Sequence, residues 1–326
     1  MAGKIKLKIL VTGAMGFVGA PIVRRLARCH DLTVADRLDF GIPSSIKSLI
    51  DEGAVELIQT NLSETSDLHR RLGSGEFDCT VHMAAIHFIP ACERDPAETY
   101  RSNVLAPLHL LASLPAGSKF LNFSSAAVYK PETAAHREGE SVIEPIEIYG
   151  WSKKHTEDLA RHFCQTKNLS VINIRLFNAV GPGETNPHVL PAILGQLAAG
   201  QRTLRLGDLR PKRDFIHVDD IAWALERFIE IWPAGQGSFE SCNLGTGHAV
   251  SIEDLLGEMK VILKSDIVVQ SVASKRRTVD RMMLCADIAK LKKFIPDFKP
   301  KLPADWLADL LREPGLRFET RQPVSL

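Results

Sequence analysis

The sequence predicts an α/β protein whose core is a doubly wound parallel sheet. Short apolar runs alternate with helical patterns along residues 1–178, which is the rhythm of strands joined by crossover helices. Most of these runs are apolar nearly throughout, as expected of strands that are covered on both faces. A glycine-rich segment lies between the first strand and the first helix.

The elements of this first part follow in a regular order. The run KILVTG is a predicted strand, and a helix follows it over about 17–28, where IVRRLARC has the helical period. The runs LTVAD, VELIQTNL and CTVHMAA are the next strands. A long helix is predicted over 95–114, and the alternation ends with the strand KFLNFSS, a helix that starts near Tyr149 and the strand VINIRLFN.

The pattern changes after Asn178. Proline and glycine recur every few residues there, and helical patterns separated by the short strands FIH and VVQ remain at 189–199, 219–231, 251–263 and 285–294. We therefore expect a smaller α/β domain that closes over the sheet. The predicted division is 1–178 for the sheet domain with 214–250 returning to it, 179–213 and 251–312 for the smaller domain, and 313–326 for a poorly ordered tail.

Composition excludes several classes of function. The 326 residues carry a formal charge of +1, so we expect no nucleic-acid partner and no role at a membrane surface. The longest apolar runs are far shorter than the roughly 18 residues of a membrane span. The six cysteines form no C-x-x-C pair, which argues against a metal site or a redox pair and favours reduced thiols in the cytoplasm.

The glycine-rich segment TGAMGFVGA predicts a dinucleotide site of the Rossmann type. Gly13, Gly16 and Gly19 lie between a strand and a helix, where glycine permits a tight turn and the close approach of a pyrophosphate. The helix N-terminus at Phe17 and Val18 would then face the phosphates. A glycine turn without any ligand is the alternative, and the position at the start of the chain argues against it.

Asp36 and Arg37 bear on which dinucleotide is bound. Asp36 ends the second strand, about where a carboxylate that binds the adenosine ribose is expected. A carboxylate there repels a 2'-phosphate, so the sequence favours NAD over NADP. Arg37 follows directly and could weaken that preference.

Tyr149 and Lys153 lie four residues apart at the start of a predicted helix. This spacing puts Lys153 one turn along and about 40° round from Tyr149, whereas Lys154 points about 140° away. An ammonium near a phenol favours the phenolate and lowers its pKa from about 10. The alternative is a packed tyrosine beside a surface lysine paired with Glu157.

Several further motifs occur in a fixed order, and together they are specific. They are TGAMGFVG, Asp36, NL at 61–62, HMAA at 82–85, Asn103, SSAAVY at 124–129, Tyr149 with Lys153, RLFNAVGPG at 175–183, RDFIHVDD at 213–220 and NLGTG at 243–247. Over about residues 7–290 the chain resembles the extended short-chain dehydrogenase/reductase family. Within that family it is similar to the NAD-dependent nucleotide-sugar epimerases and dehydratases of the UDP-glucose 4-epimerase type.

The resemblance implies a role for each matching residue. The catalytic residues would be Ser125, Tyr149 and Lys153, and cofactor contacts would be added by Asn61, Leu62, Ala84, Ala85 and Asn103. The substrate, a nucleotide-diphosphate sugar, would be bound by His87, Ser125, Ala126, Tyr149, Asn178, His188, Val189, Arg213 and Arg277. Arg277 is matched by its register to the later Ala-Asp pair, because the usual Arg-Pro-Gly-Asp run is replaced by RTVD.

The resemblance also narrows the reaction. Dehydratases of the family carry an Asp-Glu pair where this chain has Ala126 and Ala127, so elimination is disfavoured and a 4-epimerase that retains its NAD is expected. The alternatives are an NAD(P)H-dependent reductase of 4-keto-6-deoxy sugars, with His188 as a candidate acid/base, and a non-catalytic dinucleotide sensor. By analogy we expect a homodimer formed through the helices at 95–114 and 149–166.

Overall fold

A computed structural model describes residues 5–184, 186–272 and 281–312. Within these ranges, seven strands form one parallel sheet in the order β3-β2-β1-β4-β5-β6-β10. The strands are β1 (Lys8–Thr12), β2 (Asp31–Asp36), β3 (Val55–Gln59), β4 (Cys79–His82), β5 (Lys119–Ser125), β6 (Ser170–Leu176) and β10 (Phe239–Leu244). Because every pair is parallel, all the carboxyl ends meet at one edge of the sheet.

Helices cover both faces of this sheet. One face is covered by α1 (Gly19–Leu26), α2 (Ser44–Asp51), α9 (Val218–Ile231) and α11 (Ala289–Phe294). The other carries α3 (Asp67–Gly73), α6 (Ala106–Ser113) and α7 (Ile148–Lys167), with α4 (Ile89–Arg94) and α5 (Pro96–Tyr100) beside α7. The inner strands β4, β5 and β6 are buried along nearly their whole length, as their apolar sequences predicted.

The long helix predicted over 95–114 is interrupted. Asp95 caps α5 through a bond from the Glu98 amide (3.0 Å), and a π-helical stretch at Arg101–Leu105 separates α5 from α6. The Thr156 hydroxyl on α7 donates to the Asn103 carbonyl at 2.7 Å. In a regular helix this carbonyl would accept from residue 107, but Pro107 has no amide proton, so the proline accounts for the local widening and Thr156 takes the free carbonyl.

The smaller part is built on short strands around β9 (Lys212–His217). β7 (Asn178–Val180), β11 (Ala249–Ser251) and β13 (Met283–Leu284) pair with β9, while β8 (Thr203–Leu206) pairs with β12 (Val268–Ser271). Its own apolar core is enclosed by α8 (Val189–Ala198), α10 (Ile252–Leu263) and α12 (Pro303–Arg312).

Asp214 on β9 lies where the chain crosses between the large sheet and the smaller part, and its side chain binds the neighbouring segments together. Its buried carboxylate accepts bonds from the Thr246 amide (2.8 Å) and hydroxyl (2.6 Å), the Gly247 amide (2.9 Å) and the Ala286 amide (3.1 Å). Burial raises the pKa of this carboxyl group, and the four donors oppose that rise. One side chain therefore fixes three separate chain segments.

The structure differs from the predicted boundaries near the C-terminus. The helix expected over 285–294 begins only at Ala289, because the backbone at 285–287 forms hydrogen bonds with His136 and Asp214 instead of a helical turn. The predicted division places residues 251–312 in the smaller domain, yet Leu291, Ile295 and Phe298 pack into the core of the large sheet. Their apolar side chains complete the face that α1 and α9 cover.

Three further observations concern the described residues only. None of their helices has the length and apolar character needed to cross a membrane. They also contain no group of three His, Cys, Asp or Glu side chains arranged to hold a metal ion. All six cysteines are free thiols, and all except Cys29 are buried.

Candidate active site

A cavity of about 650 Å³ opens at the carboxyl edge of the large sheet. The glycine loop after β1 and Asp36 line one end, and Tyr149 lines the middle. Arg213 on β9 lines the far end, which belongs to the smaller part. The cavity therefore continues from the predicted dinucleotide site, past the predicted catalytic residues, to the predicted diphosphate site.

The three loop glycines serve different purposes. Gly13 has φ +71°, and a Cβ there would lie 2.5 Å from the Ala84 amide nitrogen. A Cβ on Gly19 would lie 2.6 Å from the carbonyl oxygen of Gly13. A Cβ on Gly16 would meet only that same oxygen, at 3.4 Å, and Gly16 lines the cavity with Phe17 and Val18. Gly13 and Gly19 thus let the backbone pack, whereas Gly16 leaves room for a pyrophosphate at the start of α1.

Asp36 stands at the end of β2 and faces the cavity. Its carboxylate accepts bonds from the amides of Met15 (3.0 Å) and Leu38 (2.8 Å), which ties the glycine loop to the second strand. The remaining lone pairs are suited to ribose hydroxyls. Arg37 makes ion pairs with Asp39 (2.6 Å) and Glu98 (2.9 Å), so its charge is already neutralised and does not offset Asp36.

The other predicted cofactor residues divide into two groups. Asn61, Leu62, Ala84 and Ala85 line the cavity. Asn103 does not: it is buried, and its amide exchanges two 2.8 Å bonds with the backbone of Ile86. It also donates to the Ser152 hydroxyl at 3.0 Å, so its side chain braces the cavity wall from behind.

Ser125, Tyr149 and Lys153 converge in the middle of the cavity. Ser125 ends β5, while Tyr149 and Lys153 face the same side of the first turns of α7. Lys153 is buried, its ammonium donates to the Phe123 carbonyl at 2.8 Å, and its Nζ lies 6.0 Å from the centre of the Tyr149 ring. Lys154 instead pairs with Asp158 on the outer face, as the helical spacing indicated.

The pKa of Tyr149 differs from the expectation. Burial raises it to about 12, and the hydrogen bond with Ser125 opposes that rise. Burial likewise lowers the pKa of Lys153 to about 8, which leaves it protonated at neutral pH. Burial is the largest influence on the pKa of Tyr149, so the chain without a cofactor favours the neutral phenol.

Glu157 is not the partner of Lys153. It accepts two bonds from the buried Arg175, at 2.9 and 2.7 Å, and a third from the Ser124 hydroxyl at 2.5 Å. Arg175 also donates to the Tyr129 hydroxyl at 3.0 Å. This network joins β5, β6 and α7 directly behind the predicted catalytic residues, and no local sequence pattern indicates it.

The far half of the cavity holds the predicted substrate residues. Its wall includes the predicted contacts His87, Ala126, Asn178, His188, Val189 and Arg213. Among the described residues, the side-chain oxygen of Asn178 is buried and has no hydrogen-bond partner. His188 is joined to Glu184, and His87 lies 2.8 Å from the Asn186 amide. Arg277 lies outside the described residues.

Sequence reasoning missed two charged residues in the wall beside Tyr149. Glu147 precedes the first residue of α7, and Arg281 pairs with it at 2.9 Å. A carboxylate near a helix N-terminus, two residues before Tyr149, is a signal that the sequence does carry. Arg281 is the last residue of a basic cluster, and nothing in the sequence distinguishes it from its basic neighbours. A thiol at Cys92 also lies near Tyr149 and Lys153.

This fold, with a glycine loop and a Ser-Tyr-Lys set in one cavity, is typical of enzymes that bind a dinucleotide as the carrier of a hydride. The sequence matches the NAD dependent epimerase/dehydratase family over residues 9–245, and the chain belongs to that family. The predicted family, the doubly wound fold and the NAD cofactor are thereby confirmed.

Known proteins similar to this chain include both epimerases and a reductase. The GDP-6-deoxy-D-mannose reductase of Pseudomonas aeruginosa is 29% identical over 84% of this chain and 86% of its own length. The UDP-glucose 4-epimerase of Corynebacterium glutamicum is 28% identical over 88% and 89%. The solved UDP-N-acetylglucosamine 4-epimerase of Methanobrevibacter ruminantium superposes with a TM-score of 0.80 at 25% identity, over 94% of this chain and 96% of that one.

Proposed function

We propose that this protein is a nucleotide-sugar 4-epimerase that oxidises C4 of its substrate and reduces it again with the same bound NAD. The observation that carries the proposal is the position of Ser125, Tyr149 and Lys153, between the NAD cradle and a polar pocket that has Arg213 at its far end. A sugar held in that pocket by its diphosphate would present a ring hydroxyl to Tyr149.

The proposed mechanism assigns a proton to Tyr149. NAD supplies the hydride acceptor, and its positively charged oxidised ring favours the phenolate that the chain alone disfavours. Tyr149 then takes the proton of the sugar hydroxyl while Ser125 holds the same oxygen by a hydrogen bond. Lys153 stabilises the ionised phenol. After the ketone turns over in the pocket, the hydride held by the dinucleotide would return to the opposite face of C4 while Tyr149 returns the proton to the oxygen, which would give the opposite configuration.

The pocket wall disfavours elimination. Ala126 and Ala127 offer no proton acceptor beside Ser125. The nearby carboxylates of Glu147 and Glu184 are engaged by Arg281 and His188. These contacts hold both carboxylates as acceptors for Arg281 and His188, so we expect neither to remove a proton from a neighbouring sugar carbon.

A second candidate is the reduction of a 4-keto sugar. His188 lines the pocket and its Nδ1 faces the Glu184 carboxylate, the arrangement by which a carboxylate orients an imidazole for proton transfer. The similarity to a reductase supports this candidate as well. In that reaction NADH would be consumed, and an epimerisation step at His188 could precede it.

One experiment separates these functions. The purified protein is denatured to see whether it releases NAD, and is then offered UDP-, GDP-, dTDP- and CDP-sugars without added cofactor while products are followed by NMR. Epimerisation without added reductant supports the proposal. Turnover that needs both a 4-keto sugar and added NAD(P)H would replace it by the reductase, and tight NAD binding without any turnover would leave only a sensor.

We also propose that two copies pair through α7 and the helices at 96–113, in the cytoplasm. Trp151 and Leu105 lie on these helices and are 38% and 36% exposed, so both side chains are accessible to a partner helix. Light scattering should give the mass of a dimer. A Trp151→Glu, Leu105→Glu variant should give that of a monomer, and an unchanged mass would contradict this interface.

A further inference from the structure

Arg281 is a buried arginine, 5% exposed, in the wall of the cavity. Its guanidinium donates three bonds: to the carbonyls of Tyr129 (2.6 Å) and Ala127 (3.0 Å), and to the Glu147 carboxylate (2.9 Å). A planar guanidinium that makes three such bonds has very little freedom to move.

These acceptors belong to the two segments that carry Ser125 and Tyr149. Ala127 lies in the short turn that follows Ser125, and its amide donates to the Ser125 hydroxyl oxygen at 3.1 Å. Arg281 therefore holds the carbonyl of the same residue whose amide holds Ser125. Glu147 is the residue before α7, two positions from Tyr149.

The two segments are also in close contact beside Arg281. A Cβ on Gly150 would lie only 2.5 Å from the Ala127 carbonyl oxygen, so the first turn of α7 rests directly on the turn after Ser125. The backbone of Arg281 is fixed in turn, because its carbonyl accepts a 2.7 Å bond from Arg213. The guanidinium thus joins the two segments from an anchored position.

We propose that Arg281 is a positioning residue that sets the distance between Ser125 and Tyr149. This inference rests on the proposed function, in which these two hydroxyls share the substrate oxygen. If the guanidinium is removed, the turn at Ala127 and the start of α7 lose their common donor and Ser125 moves relative to the phenol.

The consequence can be measured on Tyr149 itself. Burial opposes the phenolate of Tyr149, whereas the hydrogen bond with Ser125 favours it. Lys153 is the nearby positive charge, with its Nζ 6.0 Å from the ring centre. Weakening the Ser125 bond should raise the pKa of Tyr149 by about one unit and slow proton transfer about tenfold at neutral pH.

The experiment titrates the phenols of NAD-saturated protein by their ultraviolet absorbance. The chain has three tyrosines, so Tyr149 is isolated by subtracting the same titration of Tyr149→Phe. Arg281→Met is expected to raise the Tyr149 midpoint by about one pH unit, and Arg281→Lys, which can reach fewer acceptors, by less. With an accepted substrate, kcat should fall about tenfold while KM changes little.

Two controls separate positioning from other roles. Arg137→Met removes an arginine that joins the loop before α7 to Asp287 but touches neither segment that carries Ser125 or Tyr149, so the midpoint should stay unchanged. Arg281→Met leaves the carboxylate of Glu147 without its partner. Adding Glu147→Gln removes this unpaired charge but does not restore the bonds to Ala127 and Tyr129. Restoration of the midpoint by this double variant would overturn the proposal, because Arg281 would then only neutralise Glu147.

The remaining outcomes are also decisive. An unchanged midpoint in folded Arg281→Met overturns the proposal, and if that variant does not fold, an unchanged midpoint in Arg281→Lys overturns it instead. The titration needs no substrate. If no nucleotide sugar is turned over, the proposed function fails while the midpoints still decide the role of Arg281.

Discussion

Lys153 and Phe123 are joined by a 2.8 Å hydrogen bond from the buried ammonium to a backbone carbonyl at the end of β5. This bond holds the charge near the ring of Tyr149 and also ties α7 to the strand that carries Ser125. It distinguishes Lys153 from its neighbour Lys154, whose ion pair with Asp158 is exposed.

Lys153→Met should raise the pKa of Tyr149, since a nearby positive charge favours the phenolate. Tyr149 acts as a base, so a higher pKa means less phenolate at a given pH, and the rise of kcat with pH should shift upward by about one unit. Lys154→Met is the matched control and should leave the profile unchanged, because exposed ion pairs contribute little. Equal effects of the two substitutions would contradict the assignment.

Tyr149→Phe should lower turnover by about 10² to 10⁴-fold, the usual contribution of a general base. The ring and its packing remain, so thermal stability and NAD affinity should match the unmodified protein. The measurement is kcat together with calorimetric NAD binding. Near-normal turnover would mean that another group accepts the proton.

Asp36→Asn should weaken NAD binding about 10 to 100-fold, as expected when a charged hydrogen-bond acceptor is lost, and should reduce the discrimination against NADP. Arg37→Met should leave the ratio of the two dissociation constants nearly unchanged, because Asp39 and Glu98 already neutralise this arginine. A large change on replacing Arg37 would show that it reaches the cofactor.

Gly16→Ala should lower the affinity for NAD, whereas Gly13→Ala should lower the stability of the fold. The methyl group at position 16 has room within the protein but enters the cavity, so the variant should fold and lose NAD affinity. At position 13 the new Cβ would overlap the backbone of Ala84 and the backbone would be strained at φ +71°. That variant should melt well below the unmodified protein without any cofactor present. The reverse order of melting temperatures would refute this division.

Acid should destabilise the protein through two buried histidines. Burial lowers the pKa of His82 to about 3 and that of His136 to about 4, against an ordinary value of 6.5. At a pH between the lowered pKa of each folded histidine and the ordinary value of 6.5, the unfolded chain binds more protons than the folded one. The free energy of unfolding therefore falls as pH decreases from about 6.5. At pH 5 each histidine should cost about 2 kcal/mol.

Replacement of His136 tests this dependence. Its ring stacks on Tyr129 at 4.5 Å, and both nitrogens are buried without a partner among the residues that the structure describes, so His136→Phe should keep the packing and flatten the loss of stability between pH 7 and 5. His162→Phe, at an exposed position, is the control and should leave the slope intact. Denaturant unfolding at several pH values gives the comparison, and an unaltered slope in His136→Phe would show that this histidine is not responsible.

The sheet and the cofactor end of the site were predictable because their signals are local. The apolar run of β1, the glycine spacing and Asp36 lie within about 30 residues of each other, and each obeys a steric or electrostatic rule that does not depend on the rest of the chain. The spacing of Tyr149 and Lys153 on one helix is equally local. It separates the inward-facing lysine from its outward-facing neighbour but cannot give the pKa of the phenol, since burial is a property of the folded chain.

The other features depend on contacts between distant segments. Glu147 and Arg281 are 134 residues apart in sequence. Their ion pair exists only because the chain just before β13 lies against the start of α7. Asn103 could be predicted as a site residue, but not that its amide is occupied by Ile86 and Ser152. The π-helical interruption is partly a local matter, because Pro107 cannot donate to the Asn103 carbonyl, but the donor that replaces it, Thr156, comes from another helix.

The carboxylate of Asp214 has a consequence for how the chain could be divided. Three chain segments that run between the large sheet and the smaller part meet at this one buried group. They are β9, the turn at 246–247 and the segment that contains residue 286. A fragment cut at any of these passages would leave a buried charge without some of its donors, which costs more than the loss of ordinary surface contacts. The two parts are therefore not separable modules, and neither is expected to survive limited proteolysis or independent expression as a folded piece.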